Sequence, residues 1–255
     1  MELEPLRLTV PEAIDAAGAD ALTEALLAAG PQAGGPVVLC GREGLFCRGM
    51  DFDKVLSLGD GGPSTATVGA ATESPAVATG VSAFARLLRT IVECPRPVVA
   101  QIDGAVLGGG VGIAAACDLV VATRRSTFGL PEALFGLIPA VVLPVLRLRM
   151  PMQKVRLLAM TAYSRNAEEA CGLGLVDVVC ADDKLSSALR RSLRDLSRAQ
   201  LGAIATLKRF SLEIEDGSLA AGLLHGTRET TQRLAQPEIL AAVRSFLTEG
   251  AAPWA

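Results

Sequence analysis

The chain has 255 residues, of which half are hydrophobic and one-fifth are charged, so it can bury a full core as one domain. Lysine and arginine (24) nearly balance aspartate and glutamate (27), and the formal charge of -3 offers no basic field to a nucleic-acid backbone or an anionic membrane. This composition argues against a mostly disordered chain and favours a small-molecule or protein-borne substrate.

The amino terminus has no basic segment followed by an apolar run, and no stretch approaches about eighteen uninterrupted apolar residues. We therefore expect a cytoplasmic protein. The six cysteines are scattered without a CxxC pair, and most lie in apolar runs, which indicates reduced core residues rather than disulfides or zinc ligands. We expect neither a metal site nor a bound cofactor.

The first half of the chain alternates between strand and helix patterns. A strand at Leu6–Val10, a helix at about Ala17–Ala29 and a strand at Pro36–Cys40 form one β-α-β unit. A helix at Ala78–Val92 and a strand at Val98–Ile102 continue the alternation. The pattern predicts an α/β fold with a parallel-sheet core and helices outside.

The alternation continues through a glycine turn after Gly104, a helix at Val111–Cys117 and a strand at Leu119–Ala122. Beyond Pro139 the pattern predicts helices only, at Leu143–Arg149, Gln153–Met160, Ala167–Gly172, Ala188–Ala199, Leu201–Leu212 and Leu219–Leu234. We expect one domain, 1–255, with a β/α core at 1–190 and a helical region at 191–255.

Two glycine-containing segments suggest thioester chemistry. Residues Gly108–Gly110 form a turn between an apolar strand and a helix, where backbone N–H groups and the helix dipole stabilise negative charge on a carbonyl oxygen. A second turn, Leu45–Phe52, follows the strand that ends at Cys40. Alone, each segment could equally be an ordinary connection. Residues 56–74 are rich in Gly, Ser, Thr and Pro and predict a mobile loop beside the site.

The motifs FCRGMDF, GAVLGGGVGIAAACDLVVA, STFGLPEALFGLIP and EACGLGLVDVV occur in that order between Val37 and Val179. Together they resemble the enoyl-CoA hydratase/isomerase, or crotonase, superfamily. The resemblance implies a crotonase fold whose C-terminal helical layer forms a homotrimer or a hexamer. It also implies an oxyanion hole made by the backbone N–H groups of Met50 and Gly109.

Hydratases of this family use two glutamates, one shortly after the glycine turn and one in a Pro-Glu dipeptide. Here the first position is Gly112 and the second is Glu132, so the resemblance leaves one acid/base. Glu132 lies in a mostly apolar segment, which favours a raised pKa. We expect Gly108, Gly112 and Leu130 to line the substrate pocket, with open space at Gly112 for a branched acyl group.

FCRGMDF, LPEALFGLIPAVVLPVLRLR and the terminal EGAAPW resemble more closely the 3-hydroxy-3-methylglutaryl-carrier-protein dehydratases of polyketide β-branching cassettes, which also have Gly at the first glutamate position. The implied reaction gives 3-methylglutaconyl-carrier protein by syn elimination, with Glu132 moving the proton. The implied substrate is carried on the phosphopantetheine of an acyl carrier protein or on coenzyme A.

Other functions stay open from the sequence. One carboxyl also suffices for an enoyl-CoA isomerase or hydratase. Decarboxylases of the same cassettes carry a histidine in the C-terminal helix, but the sole histidine, His225, is offset from that position, and those enzymes lack the Glu132 equivalent. A non-catalytic binding protein that inherited the fold is a further alternative.

Overall fold

The computed structural model describes residues 4–30, 34–42, 44–51, 75–135 and 139–216. The loop expected at 56–74, the helix expected at 219–234 and His225 lie outside the described residues. The strands are, in chain order, β1 (Leu6–Thr9), β2 (Val37–Cys40), β3 (Gly44–Cys47), β4 (Val98–Ile102), β5 (Gly104–Leu107), β6 (Leu119–Thr123), β7 (Thr127–Gly129), β8 (Arg165–Asn166) and β9 (Val178–Cys180).

The helices are α1 (Ala16–Ala28), α2 (Pro75–Glu93), α3 (Gly109–Ala116), α4 (Leu143–Arg147), α5 (Met152–Thr161), α6 (Ala167–Leu173), α7 (Leu185–Ser197) and α8 (Leu201–Asp216). Two 3₁₀ helices cover Pro131–Phe135 and Asp182–Lys184. Local signals set several of these boundaries. The Asp15 carboxylate accepts from the Gly18 N–H at the start of α1, and Asn166 and Glu169 form a reciprocal capping box at the start of α6.

The first sheet has five parallel strands in the order β1-β2-β4-β6-β9. Its strands β2 and β4 are mostly apolar and buried, with Cys40 and Gln101 partly exposed, as is usual for a parallel sheet covered on both faces. The main core includes the apolar face of α2 that the sequence predicted, formed by Phe84, Leu87, Leu88 and Ile91. A smaller core joins the other face of the sheet to α7.

A second sheet, in the order β3-β5-β7-β8, was missed from the sequence. The segment after Gly104 is a strand, not a turn, and β8 and β9 show that the expectation of helices only beyond Pro139 is wrong. These strands have two to four residues, too few for an alternating pattern to be recognised. In the second sheet, β3, β5 and β7 are parallel, and β8 pairs antiparallel with β7.

The α/β class is therefore confirmed, with two sheets instead of one. In the part of the chain that the structure describes, no helix is both long and apolar enough to cross a membrane. The division into a core at 1–190 and a helical region at 191–255 stays a prediction, because much of that region lies outside the described residues.

Candidate active site

Three segments meet at one edge of the second sheet. The register pairs Cys47 with Val106 and Leu107 with Gly129, so β3, β5 and β7 end side by side. The segments that follow them carry Met50, Gly109 and Glu132, respectively. Carboxyl ends of parallel strands gather the loops that follow them, and this explains why residues far apart in the sequence lie together here.

The first two segments are in direct contact at Gly49. Its φ of +89° lies in the left-handed region, and a Cβ added there would lie 2.7 Å from the Gly109 nitrogen and 3.1 Å from the Leu107 oxygen. A side chain at this position would therefore force the two backbones apart. Glycine is required here both for conformation and for close approach.

In the described part of the chain, the backbone N–H groups of Met50 and Gly109 are not used by the bridge or the helix around them. In the bridge between Ile14 and Met50, the Ile14 N–H donates to Gly49 O (2.7 Å) and the Asp51 N–H donates to Ile14 O (3.0 Å). The Met50 N–H therefore points to the opposite side. Gly109 is the first residue of α3, whose N–H has no intrahelical acceptor. Among the described residues, no protein acceptor binds either N–H.

Glu132 lies in the 3₁₀ helix Pro131–Phe135, directly beyond β7. Its Oε1 lies 3.2 Å from the point where a Cβ on Gly108 would stand, which places the carboxyl against the start of α3. Its Oε2 is buried and has no hydrogen-bond partner among the described residues. Burial raises the pKa of the Glu132 carboxyl, and a hydrogen bond from its own backbone offsets part of this effect.

Two buried side chains support the glycine segments. A Cβ on Gly109 would lie 3.0 Å from Phe84 Cζ, so the ring of Phe84 closes one side of the turn. The Cys47 sulfur accepts from the Gly49 N–H at 3.4 Å, and burial raises the pKa of the Cys47 thiol to about 11. Cys47 is therefore a neutral support for the loop and not a thiolate nucleophile.

The structure changes the expectation for Gly112. A Cβ there would lie 3.0 and 3.2 Å from the two γ-carbons of Val142, whose side chain is only 3% exposed. The open space expected opposite Glu132 at Gly112 is therefore absent, because Val142 fills it. Leu130 is fully buried in the main core, and its place in a substrate pocket stays a prediction.

The local pattern does not assign a role in the site to Val142 or Phe84, and Cys47 is marked only as a member of the FCRGMDF motif. Each is an ordinary apolar or cysteine residue within an apolar run, and only the tertiary packing of α2, β3 and the segment before α4 brings it there. Val142 lies in the segment LPEALFGLIPAVVLPVLRLR, whose resemblance to the β-branching dehydratases does not indicate what Val142 packs against.

Comparisons with known proteins identify the family of this chain. The family model for enoyl-CoA hydratase/isomerase matches residues 6–254. The chain is 27% identical over 218 residues to the bacillaene synthase dehydratase PksH of Bacillus subtilis (strain 168), covering 86% of this chain and 78% of that protein. It is 31% identical over 182 residues to the carnitinyl-CoA dehydratase of Proteus mirabilis (strain HI4320), covering 69% of this chain and 64% of that protein.

Solved structures show the same fold over almost the whole length. Pseudomonas aeruginosa AtuE superposes with a TM-score of 0.87 at 31% identity, covering 99% of this chain and 98% of that one. An enoyl-CoA hydratase from Polaromonas sp. JS666 gives a TM-score of 0.84 at 26% identity, covering 100% and 98%. The chain therefore belongs to the enoyl-CoA hydratase/isomerase (crotonase) family and is an enzyme of the hydratase/dehydratase type that acts on thioesters.

Proposed function

We propose that this enzyme removes water from a β-hydroxy-β-methyl acyl thioester, namely 3-hydroxy-3-methylglutaryl-carrier protein, to give 3-methylglutaconyl-carrier protein. The observation that carries this proposal is the Glu132 carboxyl beside the glycine turn, at a site where position 112 has no side chain. Glu132 lies against Gly108, whereas Gly112, one helical turn further, contributes no second acid/base. A reaction in which one group takes a proton and returns it fits this arrangement.

The amides of Met50 and Gly109 are proposed as the oxyanion hole. When a proton leaves C2 of the acyl group, negative charge collects on the thioester oxygen, and two fixed N–H donors stabilise it without rearrangement. The N-terminal end of α3 adds favourable electrostatic potential at the same place. Neither amide is engaged by an acceptor in the described part of the chain, which supports this role.

Glu132 is proposed as the acid/base. As the carboxylate it takes the C2 proton, and the electrons of that bond form the enolate held by the two amides. When the enolate collapses, the C2–C3 double bond forms, the C3–O bond breaks, and Glu132 returns the proton to the leaving hydroxyl to release water. Both proton transfers occur on the same face of the acyl group, within reach of the Glu132 side chain. The raised pKa of Glu132 favours this exchange, because such a group is a stronger base than an exposed carboxylate and still gives up its proton readily.

The names of two relatives support the proposed dehydration. One is named as a dehydratase of bacillaene synthase, and another as a carnitinyl-CoA dehydratase. We further propose that the enzyme acts in polyketide β-branching in the cytoplasm, with an acyl carrier protein as partner and no cofactor of its own.

A substrate comparison tests the proposal. The purified protein is incubated with 3-hydroxy-3-methylglutaryl-carrier protein, the matching CoA ester and a β,γ-enoyl-CoA, and the products are analysed by mass spectrometry and ultraviolet absorbance. We expect loss of one water from the carrier-protein substrate at the highest kcat/KM of the three. Faster isomerisation of the β,γ-enoyl-CoA would favour the second candidate, an isomerase, which also needs only one carboxyl.

We further infer a homotrimer or a dimer of trimers. Apolar side chains at and beside α5 are exposed in the isolated chain, among them Met160 (66%) and Tyr163 (62%), and such surfaces are commonly covered in assemblies. Sedimentation equilibrium measures the state directly. A monomer at micromolar concentration would contradict the inference.

A further inference from the structure

We propose that Val142 is a specificity-determining residue: it takes the volume that a side chain at position 112 would need, and it presents the apolar surface against which the β-methyl branch of the substrate packs. This inference rests on the proposed function, since it assigns a wall to the pocket in which Glu132 acts. It does not depend on which carrier delivers the acyl group.

The first step is the contact between Val142 and α3. Both γ-carbons of Val142 stand 3.0 to 3.2 Å from the position of a Cβ on Gly112. Val142 immediately precedes α4, where the Leu146 N–H donates to its carbonyl oxygen at 3.1 Å, and the neighbouring Leu146 is fully buried. The side chain is therefore held in the core and has little freedom to move aside.

The second step is the position of this contact relative to Glu132. The Glu132 carboxyl lies against Gly108, and Gly112 follows four residues later, about one helical pitch of 5.4 Å along α3. The 3₁₀ helix that carries Glu132 and the segment that carries Val142 are joined by a short stretch of chain, 136–141. Glu132 and Val142 thus cover successive turns of the same helix.

The third step is the chemistry of this wall. The residues of α3, Gly109–Ala116, contain no polar side chain. Val142 occupies the space that a side chain at position 112 would need. No side chain on this part of α3 can hold a water molecule or a second proton. The wall therefore favours an apolar substituent, such as a methyl branch at C3, and leaves proton transfer to Glu132.

The contact itself is tested by a stability cycle. Gly112→Ala should lower the melting temperature, because the new methyl group meets Val142, and it should do so less in a Val142→Ala background. If Gly112→Ala costs the same in both backgrounds, the two positions do not compete for space and the first half of the proposal is overturned.

Specificity is tested with two substrates that differ by one methyl group, a 3-hydroxy-3-methylacyl and a 3-hydroxyacyl thioester on the same carrier. Val142→Ala removes the surface and Val142→Ile narrows the pocket, so each should lower the kcat/KM ratio of branched to unbranched substrate by about ten-fold. Val121→Ala, in the equally buried second core, is the matched control and should leave the ratio unchanged.

The outcomes separate this inference from the proposed function. If the wild-type protein dehydrates the branched substrate and both Val142 variants keep the wild-type ratio, or if Val121→Ala changes the ratio equally, the inference fails and the function stands. If the wild-type protein dehydrates neither substrate, the proposed function fails and the branch contact with it. The stability cycle would then still decide the packing role of Val142.

Discussion

Gly49→Ala should disable the site through the backbone, without touching the acid/base. The φ of +89° costs an alanine about 1 to 2 kcal/mol. The new methyl would also stand 2.7 Å from the Gly109 nitrogen, closer than real Cβ contacts allow, so the Met50 and Gly109 segments must separate. Misplacing one oxyanion donor typically lowers kcat by about 10²- to 10³-fold.

The assay is kcat on the loaded carrier protein, together with urea unfolding of the same preparation. We expect kcat to fall by at least about 10²-fold and the free energy of unfolding to fall by at least about 1 kcal/mol. Gly172→Ala is the matched control. Gly172 is an exposed glycine of α6 with no atom within 4 Å of an added Cβ, so this change should stabilise the protein by up to about 1 kcal/mol and leave kcat unchanged. A folded Gly49→Ala variant with wild-type kcat would refute the assignment of these amides.

Three further predictions concern stability. Glu132→Gln should stabilise the protein at pH 8 and not at pH 4 in thermal unfolding, because burial raises the folded pKa of Glu132 above its ordinary value of 4.5. The free energy of unfolding of the wild type therefore falls as the pH rises from 4.5 through the folded pKa, and above the folded pKa this loss of stability stays constant. Equal effects at both pH values would contradict the raised pKa. Asn166→Ala should cost about 1 kcal/mol in urea unfolding, because the Glu169 N–H at the start of α6 loses its acceptor; no loss would mean that the cap is not formed in solution. Arg149→Ala should cost about 3 kcal/mol with kcat unchanged, because its guanidinium pairs with Asp177 and donates to Cys117 O; a loss below about 1 kcal/mol would show that the pair is solvated.

The sequence was sufficient for four of the five strands of the first sheet and for the helices around them, whereas β9 was not predicted. Residues Val37–Leu39 and Val98–Ala100 form continuous apolar runs bounded by prolines and glycine, and the face of α2 repeats at helical spacing, so periodicity alone placed them. Helix ends moved by only a few residues, as for α1, expected at about Ala17–Ala29 and observed at Ala16–Ala28.

The second sheet could not be predicted, because its strands are too short for their pattern to be distinguished from that of a turn. Yet the pairing of β3, β5 and β7 is what brings Met50, Gly109 and Glu132 to one edge. Their proximity was expected from the motifs that resemble the family, and not from the local pattern of the chain. The roles assigned to the three residues stay proposals.

The expectation of open space at Gly112 was wrong, because a local sequence does not show which distant residue packs against it. A glycine where relatives carry a large side chain suggests a cavity, but protein cores are close-packed and a vacated volume is usually refilled. Here the refilling residue, Val142, comes from a segment thirty positions later in the chain. The sequence shows the missing side chain at Gly112, but only the fold shows that Val142 compensates for it.

The central claim is that one carboxyl, Glu132, carries both proton transfers of a dehydration. The most direct measurement is the rate of water loss from 3-hydroxy-3-methylglutaryl-carrier protein by wild-type and Glu132→Gln protein, followed by intact-protein mass spectrometry. The amide keeps the shape of the side chain and cannot exchange a proton, so the rate should fall by about 10³- to 10⁴-fold while the melting temperature does not fall. A Glu132→Gln variant that retains a rate within about ten-fold of wild type would contradict the account.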